Sequence, residues 1–497
     1  MKINLSEYKE VWKALAWFIA AIVACRFVGG IVILAIVLVA IHAASNNKPG
    51  LTVLCYMFIP MLLMANITLR GSGSFFFGPL CRICPLALTL IVVMQSARRR
   101  SKDKLPIGGL FLYCAIAVVS SIDGWCPPIS YLKIVNYVNF ILGIYLCSKS
   151  ISDDPMALSV VRNGLLAFAV FLIFGSIAVI PFPSIGYSMF ISNMSMWTQI
   201  DDAAEFIKQY EGMKLYSGVT YHSQMLAPLT VACVGWVLLD MFFVERRSSI
   251  LHLALFASSP ILLFMTHSRI GLFGFIVMMS LIYLIAIPKA NVERGIKKKI
   301  RGVFQTMLVL CLIGAVVAEI RDNSMTKWIR KTDYLEQDIQ NRDVMSAITQ
   351  SRQGSIASNM YDFKQNPFIG MGFQTSEFHR YAYQAGRISI FSAPIEKGLL
   401  PLMILGETGI VGGLVFIGFL LAFYSTCKRK GYVCTTVLMT VFLVLNMAEA
   451  SFFSNGGMGG AQWVVLPMGG FVIDMIVKGR NGMEYFIAMN GDAYTGR

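Results

Sequence analysis

The sequence contains few charged residues: Asp, Glu, Lys and Arg together make up only 14% of the 497 residues. A soluble domain typically carries about 25%, so the composition excludes an ordinary soluble globular protein. Hydrophobic residues account for 56%, and they occur in continuous rather than alternating runs. Because lipid cannot satisfy backbone polar groups, such runs must form helices. We therefore expect an all-α, polytopic integral membrane protein.

Several signatures of soluble enzymes are also missing from the sequence. It contains no P-loop, no dinucleotide-binding glycine fingerprint, no HExxH motif and no internal repeat. Cys81 and Cys84 form a CxxC pair inside an apolar run. We interpret both as small buried hydrophobes, with a redox or metal pair as the alternative. The sequence predicts no metal site and no cofactor. Without a cleavable signal-peptide pattern, the first helix is expected to be a retained signal-anchor.

The apolar runs predict 12–14 membrane-spanning helices. Whether the first two runs form two helices or one broken helix stays open. The fourteen runs are 11–25, 28–43, 51–69, 75–95, 107–122, 130–148, 160–182, 218–244, 249–266, 270–288, 302–320, 400–424, 432–452 and 461–477.

The net charge of +15 is explained by the orientation of these helices. Lys and Arg collect in cytoplasmic loops, and five basic loops fall on one side of the predicted map: 97–104, 245–248, 293–301, 427–431 and 478–480. We predict that this side is the cytoplasm and that both termini lie there. The charge then requires no nucleic-acid partner.

Two long connections divide the chain. We predict N-terminal membrane helices with an external loop near 183–217, core membrane helices, a large external loop and C-terminal membrane helices, over residues 1–216, 217–320, 321–399 and 400–497. The large loop contains an amphipathic helix with Val344, Ile348, Ile356 and Met360 at near-helical spacing. Asn366-Pro367 is expected to end it.

Four polar residues at the predicted outer face each allow two interpretations. Arg269, in "THSRIG", either extends to lipid headgroups or binds an anion such as a pyrophosphate. Arg352 is a solvated surface charge or a second anion ligand. His222 is a hydrogen-bonded structural residue or a catalyst. Glu396 either pairs with Lys397 and caps the next helix, or acts as a general base.

Four sequence blocks between roughly 217 and 425 resemble those of the O-antigen ligase and polymerase superfamily. These are "GVTYHSQMLAP", "THSRIGLFGF", "NPFIGMGF" and "LMILGETGIVGGLVF". Singly each block is weak, but their order on this topology is fairly specific.

The resemblance implies a GT-C-like membrane glycosyltransferase in the bacterial inner membrane, with its active site facing the periplasm. Such enzymes transfer a glycan from undecaprenyl pyrophosphate to a sugar hydroxyl, without metal or cofactor. Polymerases extend O-antigen or exopolysaccharide, sometimes beside a chain-length regulator, whereas ligases attach the glycan to lipid A-core. By motif and spacing, Arg269 and Arg352 match the two arginines that contact the pyrophosphate.

The sequence departs from the ligases at one place. They carry a His-Asn pair about eleven residues before the Gly of the Glu-Thr-Gly block, where this chain has Gly398 and Leu399. We therefore favour a polymerase over a ligase, with Glu396 as the base.

Other polar side chains of the large loop are expected to assist. His379 is the alternative base, and Lys397, Arg380 and Arg387 are expected to hold lipid phosphates or an anionic sugar, with His222 as a further substrate ligand. Two alternatives from other classes are a flippase or transporter of lipid-linked oligosaccharides and a non-catalytic scaffold. A flippase would place charges along a central path, whereas here they lie at one face.

Overall fold

A computed structural model describes residues 8–65, 77–99, 101–189, 214–246, 249–290, 344–390, 398–447 and 450–479, together with 295, 298, 302 and 305. The first half contains α1 Lys9–Val28, α2 Ile31–Ser45, α3 Pro49–Leu63, α4 Phe77–Ala97, α5 Gly109–Ser120, α6 Pro127–Ile151, α7 Pro155–Ala178, the single turn α8 Pro183–Gly186, and strands β1 Tyr187–Met189 and β2 Lys214–Tyr216. The second half contains α9 Ser223–Asp240, α10 Ile250–Met265, α11 Arg269–Lys289, α12 Val344–Gln365, α13 Glu377–Gln384, α14 Leu400–Lys430, α15 Val433–Leu445 and α16 Gly457–Gly479. Single π-helical turns extend α9 through Met241–Glu245 and interrupt α11 and α16.

The described helices confirm the predicted polytopic all-α fold. Seven of them are long and apolar enough to cross a membrane, and six more are shorter apolar helices. Thirteen of the fourteen predicted spans overlap one of these helices, while 302–320 falls almost entirely outside the described residues. The first two runs are separate helices, because the chain turns at Gly29, whose φ is 59°.

Three of the predicted cytoplasmic loops meet at one end of the helices, which we call the basic end. The Asp103 carboxylate accepts hydrogen bonds from Lys430 Nζ and from the Tyr432 hydroxyl, both over 2.8 Å, and it also pairs with Lys478. The loops before α5 and after α14 therefore lie beside the end of α16. This common position agrees with the topology that the basic residues predict.

A buried ionic cluster lies between α7, α9 and α10. Arg162 binds Asp240 through two hydrogen bonds of 2.7 Å and also pairs with Glu245. The His252 ring lies 2.9 Å from the second oxygen of Asp240 and 2.8 Å from the Ser249 hydroxyl. Since Asp240 and His252 are fully buried, these contacts replace water for both of these side chains.

The end opposite to the basic end, which we call the distal end, is where the loops predicted to be external enter. Leu445 ends α15 there and packs against Gly274 of α11. The Leu400 N–H donates to the Asn446 carbonyl over 3.2 Å, which places the start of α14 at the same end. A short antiparallel ribbon of β1 and β2 precedes α9, which also begins at this end. The predicted division into four parts stays a prediction.

The amphipathic helix predicted in the large loop is α12, and it ends before Asn366-Pro367 as expected. Its packed face differs from the predicted apolar stripe. Ile356 and Met360 are exposed, whereas Asn359 and Asp362 are almost fully buried. The reason is close packing on α14, where Gly406 leaves room for polar atoms of α12.

Candidate functional site

The segment 366–373 is joined to α14 by backbone hydrogen bonds. They run from Met371 N to Gly406 O (2.9 Å), from Gly372 N to Glu407 O (3.1 Å), from Ile410 N to Pro367 O (2.9 Å) and from Val411 N to Phe368 O (3.1 Å). We call this contact the junction. Two of the sequence blocks that carried the family resemblance, "NPFIGMGF" and "LGETGIVGG", thus form one structural unit.

Two glycines, one in each of these sequence blocks, allow the backbones of the junction to approach so closely. Gly409 interrupts α14 with φ 62° and ψ −164°, a conformation open essentially only to glycine. The interruption leaves backbone groups of α14 without helical partners, and segment 366–373 satisfies them. Gly370 has φ 76°, and a Cβ there would collide with the backbone of Glu407. A Cβ on Gly409 would likewise collide with Phe368.

The loop between α5 and α6 holds the junction from the other side. The Trp125 N–H donates to the Met371 carbonyl, and its indole N–H donates to the Asp362 carboxylate, each over 2.9 Å. Thr408 lies 3.4 Å from the Tyr113 hydroxyl of α5. The Glu407 side chain is fully buried. The junction therefore places the Glu407 carboxylate inside the protein, next to segment 366–373.

A second polar group is formed by His379 of α13 and Lys133 of α6. Lys133 Nζ donates to the Gln374 carbonyl over 2.9 Å and lies 3.4 Å from His379 Nε2. His379 Nδ1 lies 3.2 Å from the Ser376 N–H and 3.3 Å from the Ser376 hydroxyl, which makes a capping box at the start of α13. A neutral imidazole has only one acceptor nitrogen, so its tautomer decides which neighbour it accepts from.

Lys133 was not singled out from the sequence, although a signal was present. It stands within the apolar run 130–148, and an ionisable residue inside a membrane span marks a functional site by default. The structure buries Lys133 at 9% exposure and His379 at 0%. The sequence did not show that the two lie together, since they are separated by 246 positions.

His222 and Arg269 lie at the starts of two neighbouring helices. The His222 Nδ1 caps α9 by accepting the N–H of the residue two positions on, over 3.1 Å. The Ser268 hydroxyl caps α11 by accepting the Gly271 N–H over 3.2 Å, so Arg269 is the first residue of that helix. Gly271 packs directly on Ala227. The two helix N-termini are therefore adjacent at the distal end.

The start of α16 approaches the same place. A Cβ on Gly457 would lie 3.7 Å from the Met225 methyl group of α9. Helix N-termini carry partial positive charge and free N–H groups, and they bind anions readily. With the half-buried guanidinium of Arg269 beside them, this arrangement suits a phosphate-bearing ligand.

The loop before α16 connects the Lys133–His379 pair with the adjacent starts of α9 and α11. The Gln374 amide donates to the Phe453 carbonyl over 2.8 Å. The Phe453 ring stacks on Tyr113 with 4.7 Å between centroids and packs edge-on against Phe373. Gln374 is also the residue whose carbonyl binds Lys133. The loop before α16 therefore contacts Gln374, next to Lys133 and His379, through Phe453. At its other end it reaches Gly457, which lies beside α9.

The remaining predicted site residues have different positions. Arg380 lies on α13 and Arg387 follows its end, and both are exposed. Arg352 lies in α12, and the description of that residue extends to its backbone only. Glu396 and Lys397 fall outside the described residues. Their predicted roles stay predictions.

The part of the chain that the structure describes contains no group of three or more His, Cys, Asp or Glu side chains arranged to hold a metal ion. Cys84 of the CxxC pair is a buried free thiol.

Comparison with known proteins adds a family match to these observations. No curated protein and no solved structure matches the chain. Residues 252–417, a third of the chain, match the family model described as O-antigen ligase. The matched region includes Arg269, Arg352, His379, Glu396 and the junction. This match supports the assignment of the membrane protein to the O-antigen ligase and polymerase superfamily and a function of the ligase or polymerase type.

Proposed function

We propose that the protein is a membrane glycosyltransferase that polymerises glycan repeats from undecaprenyl pyrophosphate-linked oligosaccharide. The observation that carries the proposal is the O-antigen ligase match over 252–417, within which Arg269 begins α11 beside the start of α9. Polymerisation is preferred to ligation because Gly398 occupies the place of the ligase histidine. Glycine has no side chain that could accept the acceptor's proton, so position 398 cannot play the part of that histidine.

The proposed reaction is a direct displacement at the anomeric carbon. The hydroxyl oxygen of the acceptor sugar attacks C1 of the donor sugar, and the bond from C1 to the pyrophosphate oxygen breaks with inversion. The hydroxyl proton passes to Glu396, which acts as the general base. Undecaprenyl pyrophosphate leaves with the bonding electron pair, and Arg269 and Arg352 stabilise its growing negative charge. The lipid pyrophosphate is already an activated leaving group, so we propose that no metal takes part.

Further residues have supporting roles in this proposal. The N-termini of α9 and α11 add partial positive charge next to Arg269. His222 is proposed to orient the substrate through its Nε2, since its Nδ1 is used in capping. His379 is the alternative base, and Arg380, Arg387 and Lys397 are proposed to hold phosphates or an anionic sugar.

The proposed location is the periplasmic face of the bacterial inner membrane. This proposal is supported by the separation of charged residues between the two ends of the helices. At the basic end Asp103 binds Lys430 and Lys478, which come from two further basic loops, whereas Arg269 lies at the distal end. Lipid-linked donor and glycan acceptor would meet at the distal end, and a chain-length regulator is the proposed protein partner.

The test uses a deletion strain complemented with Arg269→Ala, Arg352→Ala or Glu396→Gln. Removing one group that stabilises the leaving charge should lower the rate by about 10²–10³-fold. Glycans are analysed by gel and mass spectrometry. Arg429→Ala is the matched control, because Arg429 is an exposed arginine near the basic end. Full polymer in both arginine variants would overturn the pyrophosphate role.

The product left by the deletion distinguishes the rival functions. Single repeats on lipid A-core are expected for a missing polymerase. Full-length polymer retained on undecaprenyl pyrophosphate would show a ligase instead. Lipid-linked repeats trapped at the cytoplasmic face would show a flippase and overturn the proposal.

A further inference from the structure

A groove of about 200 Å³ lies between α2 and α4, close to the basic end and separate from the proposed active site. Its lining residues include Ile41 and Ser45 of α2, Ile91, Met94 and Gln95 of α4, and Arg98 just beyond α4. Its position is fixed by Arg99, which contacts Asn47 and Asp154 near the starts of α3 and α7. The groove therefore opens where the basic loop 97–104 begins.

The Gln95 amide is a polar group in this largely apolar groove. Gln95 is only 3% exposed, and within the described part of the chain neither its Nε2 nor its Oε1 has a hydrogen-bond partner. A buried amide without a hydrogen-bond partner is unfavourable, because it has lost its water and gained nothing in return. The neighbouring Ser96, in contrast, bonds the Val93 carbonyl over 3.0 Å. Gln95 thus offers a donor and an acceptor to a molecule in the groove.

Arg98 supplies a positive charge at the rim. Its neighbour Arg99 pairs with Asp154 over 3.3 Å, whereas Arg98 is exposed and forms no ion pair among the described residues. Arg98 follows Gln95 by three residues, a rise of about 4.5 Å along the axis of a helix. Along α4, the groove therefore presents first the apolar side chains around Ile91, then the Gln95 amide and last the Arg98 cation at its rim.

The outer walls of the groove continue into surface that faces lipid. Leu38, Leu90 and Met94 are 65%, 62% and 60% exposed on helices that belong in the membrane. A diacyl phospholipid presents the matching groups in the same order, with an acyl chain, ester carbonyls and a phosphate. An arginine near the cytoplasmic surface attracts anionic lipid headgroups.

We propose that this groove is a binding site for one anionic glycerophospholipid of the cytoplasmic leaflet. One acyl chain packs between Ile41 and Ile91. The Gln95 amide donates to an ester carbonyl, and the Arg98 guanidinium binds the phosphate. The site holds a structural lipid that closes the contact between α2 and α4, and it is independent of the proposed glycosyltransferase reaction.

The test uses purified full-length protein in nanodiscs with a trace of diazirine-labelled phosphatidylglycerol. Cross-links are mapped by mass spectrometry. We expect labelling of the peptides around 41–45 and 91–98, and competition by unlabelled phosphatidylglycerol but not by phosphatidylcholine. Arg98→Glu should reduce labelling at least fivefold, and Gln95→Leu should reduce it to a smaller extent. Arg429→Glu, an exposed arginine on α14 near the same end, should leave labelling unchanged.

Two results would overturn the proposal. Equal competition by phosphatidylcholine, or full labelling of Arg98→Glu, would show ordinary contact with bulk lipid. Stronger competition by undecaprenyl phosphate than by phosphatidylglycerol would assign the groove to a prenyl phosphate instead. A melting temperature of Arg98→Glu in detergent equal to that of the wild type shows that lost labelling reflects lost binding and not unfolding.

Discussion

The backbone N–H of Met371 donates a hydrogen bond to the carbonyl oxygen of Gly406 over 2.9 Å. This bond joins segment 366–373 to the apolar helix α14 at the place where that helix is interrupted. The interruption and the segment depend on each other, because each supplies hydrogen-bond partners that the other lacks. The residues that follow 373, including His379, are therefore held in a fixed position relative to α14.

Substitution of Gly409 by Ala should break the junction. Alanine in this backbone conformation costs about 1–3 kcal/mol, and its Cβ would also collide with Phe368, which adds about 1–3 kcal/mol. We expect a lower melting temperature in detergent and loss of polymer in the complemented strain.

Gly418→Ala is the control for this substitution. Gly418 lies on the same helix, and a Cβ there meets no atom within 4 Å. Alanine favours the helix by about 1 kcal/mol over glycine, so stability should be equal or slightly higher. Equal melting temperatures for both variants would show that the junction does not hold α14.

Two substitutions of His379 separate a chemical role from a structural one. Glutamine is a good N3 residue in a capping box, so His379→Gln should keep the cap of α13 but lose the imidazole. His379→Ala loses both, and its stability should fall by about 1 kcal/mol more. If His379 is the base, His379→Gln abolishes polymer synthesis at near wild-type stability. Polymer synthesis by His379→Gln at the wild-type rate would exclude His379 as the base.

The role of Lys133 can be tested through its hydrogen bond to the Gln374 carbonyl. Lys133→Met removes the donor to the Gln374 carbonyl, and an unsatisfied buried carbonyl costs about 1–3 kcal/mol. Lys133→Arg keeps a donor and should retain most of the stability. The measurement is the melting temperature of each variant, together with protease sensitivity of the segment after 373. Equal values for Lys133→Met and wild type would show that the bond from Lys133 to the Gln374 carbonyl does not hold this segment in place.

The sequence predicted the membrane helices well because a long apolar run has few other solutions in lipid. It also located the end of α12, since Asn366-Pro367 cannot continue a helix. It did not predict that Asn359 and Asp362 would be the packed face of α12. That face is decided by the glycine of the partner helix, which periodicity within one segment cannot reveal.

The candidate site was predictable only in part. His222 and Arg269 were proposed as site residues from their position near predicted helix starts. The structure places those two helix starts side by side, through the contact of Gly271 with Ala227, and the roles of both residues stay predictions. The contact between Lys133 and His379 joins residues far apart in the chain, and no local pattern records such a contact. Glu396, the proposed base, rests on sequence position and the family resemblance.

The stability of the basic end should depend on acid pH through Asp103. Partial burial alone would raise the pKa of Asp103, but hydrogen bonds from Lys430, Lys478 and Tyr432 outweigh it and lower this pKa to about 2. A lowered folded-state pKa gives stability that is present above the unfolded pKa of about 3.9 and is lost as the pH falls towards 2. At pH 7, Asp103→Asn should therefore lower the free energy of unfolding by roughly 1–2 kcal/mol relative to wild type, and the melting temperature with it. At pH 2 the two proteins should differ little.

Asp123→Asn is the control, because it changes an exposed carboxylate. A stability difference between Asp103→Asn and wild type that persists at pH 2 would contradict the proposed role of Asp103.

Arg162→Met should be the most destabilising charge substitution among these variants, because it leaves Asp240 charged and fully buried. Breaking a buried pair by removing one partner costs about 3–5 kcal/mol. Replacing both members, as Arg162→Met with Asp240→Leu, should cost less than Arg162→Met alone, since the fully buried carboxylate is then removed together with its partner. Arg99→Met is the matched control: the pair of Arg99 with Asp154 is about a quarter exposed on each side and should contribute about 0–1 kcal/mol. Denaturation in mixed detergent micelles measures all three, and a loss for Arg162→Met no larger than for Arg99→Met would show that the cluster does not hold α7, α9 and α10 together.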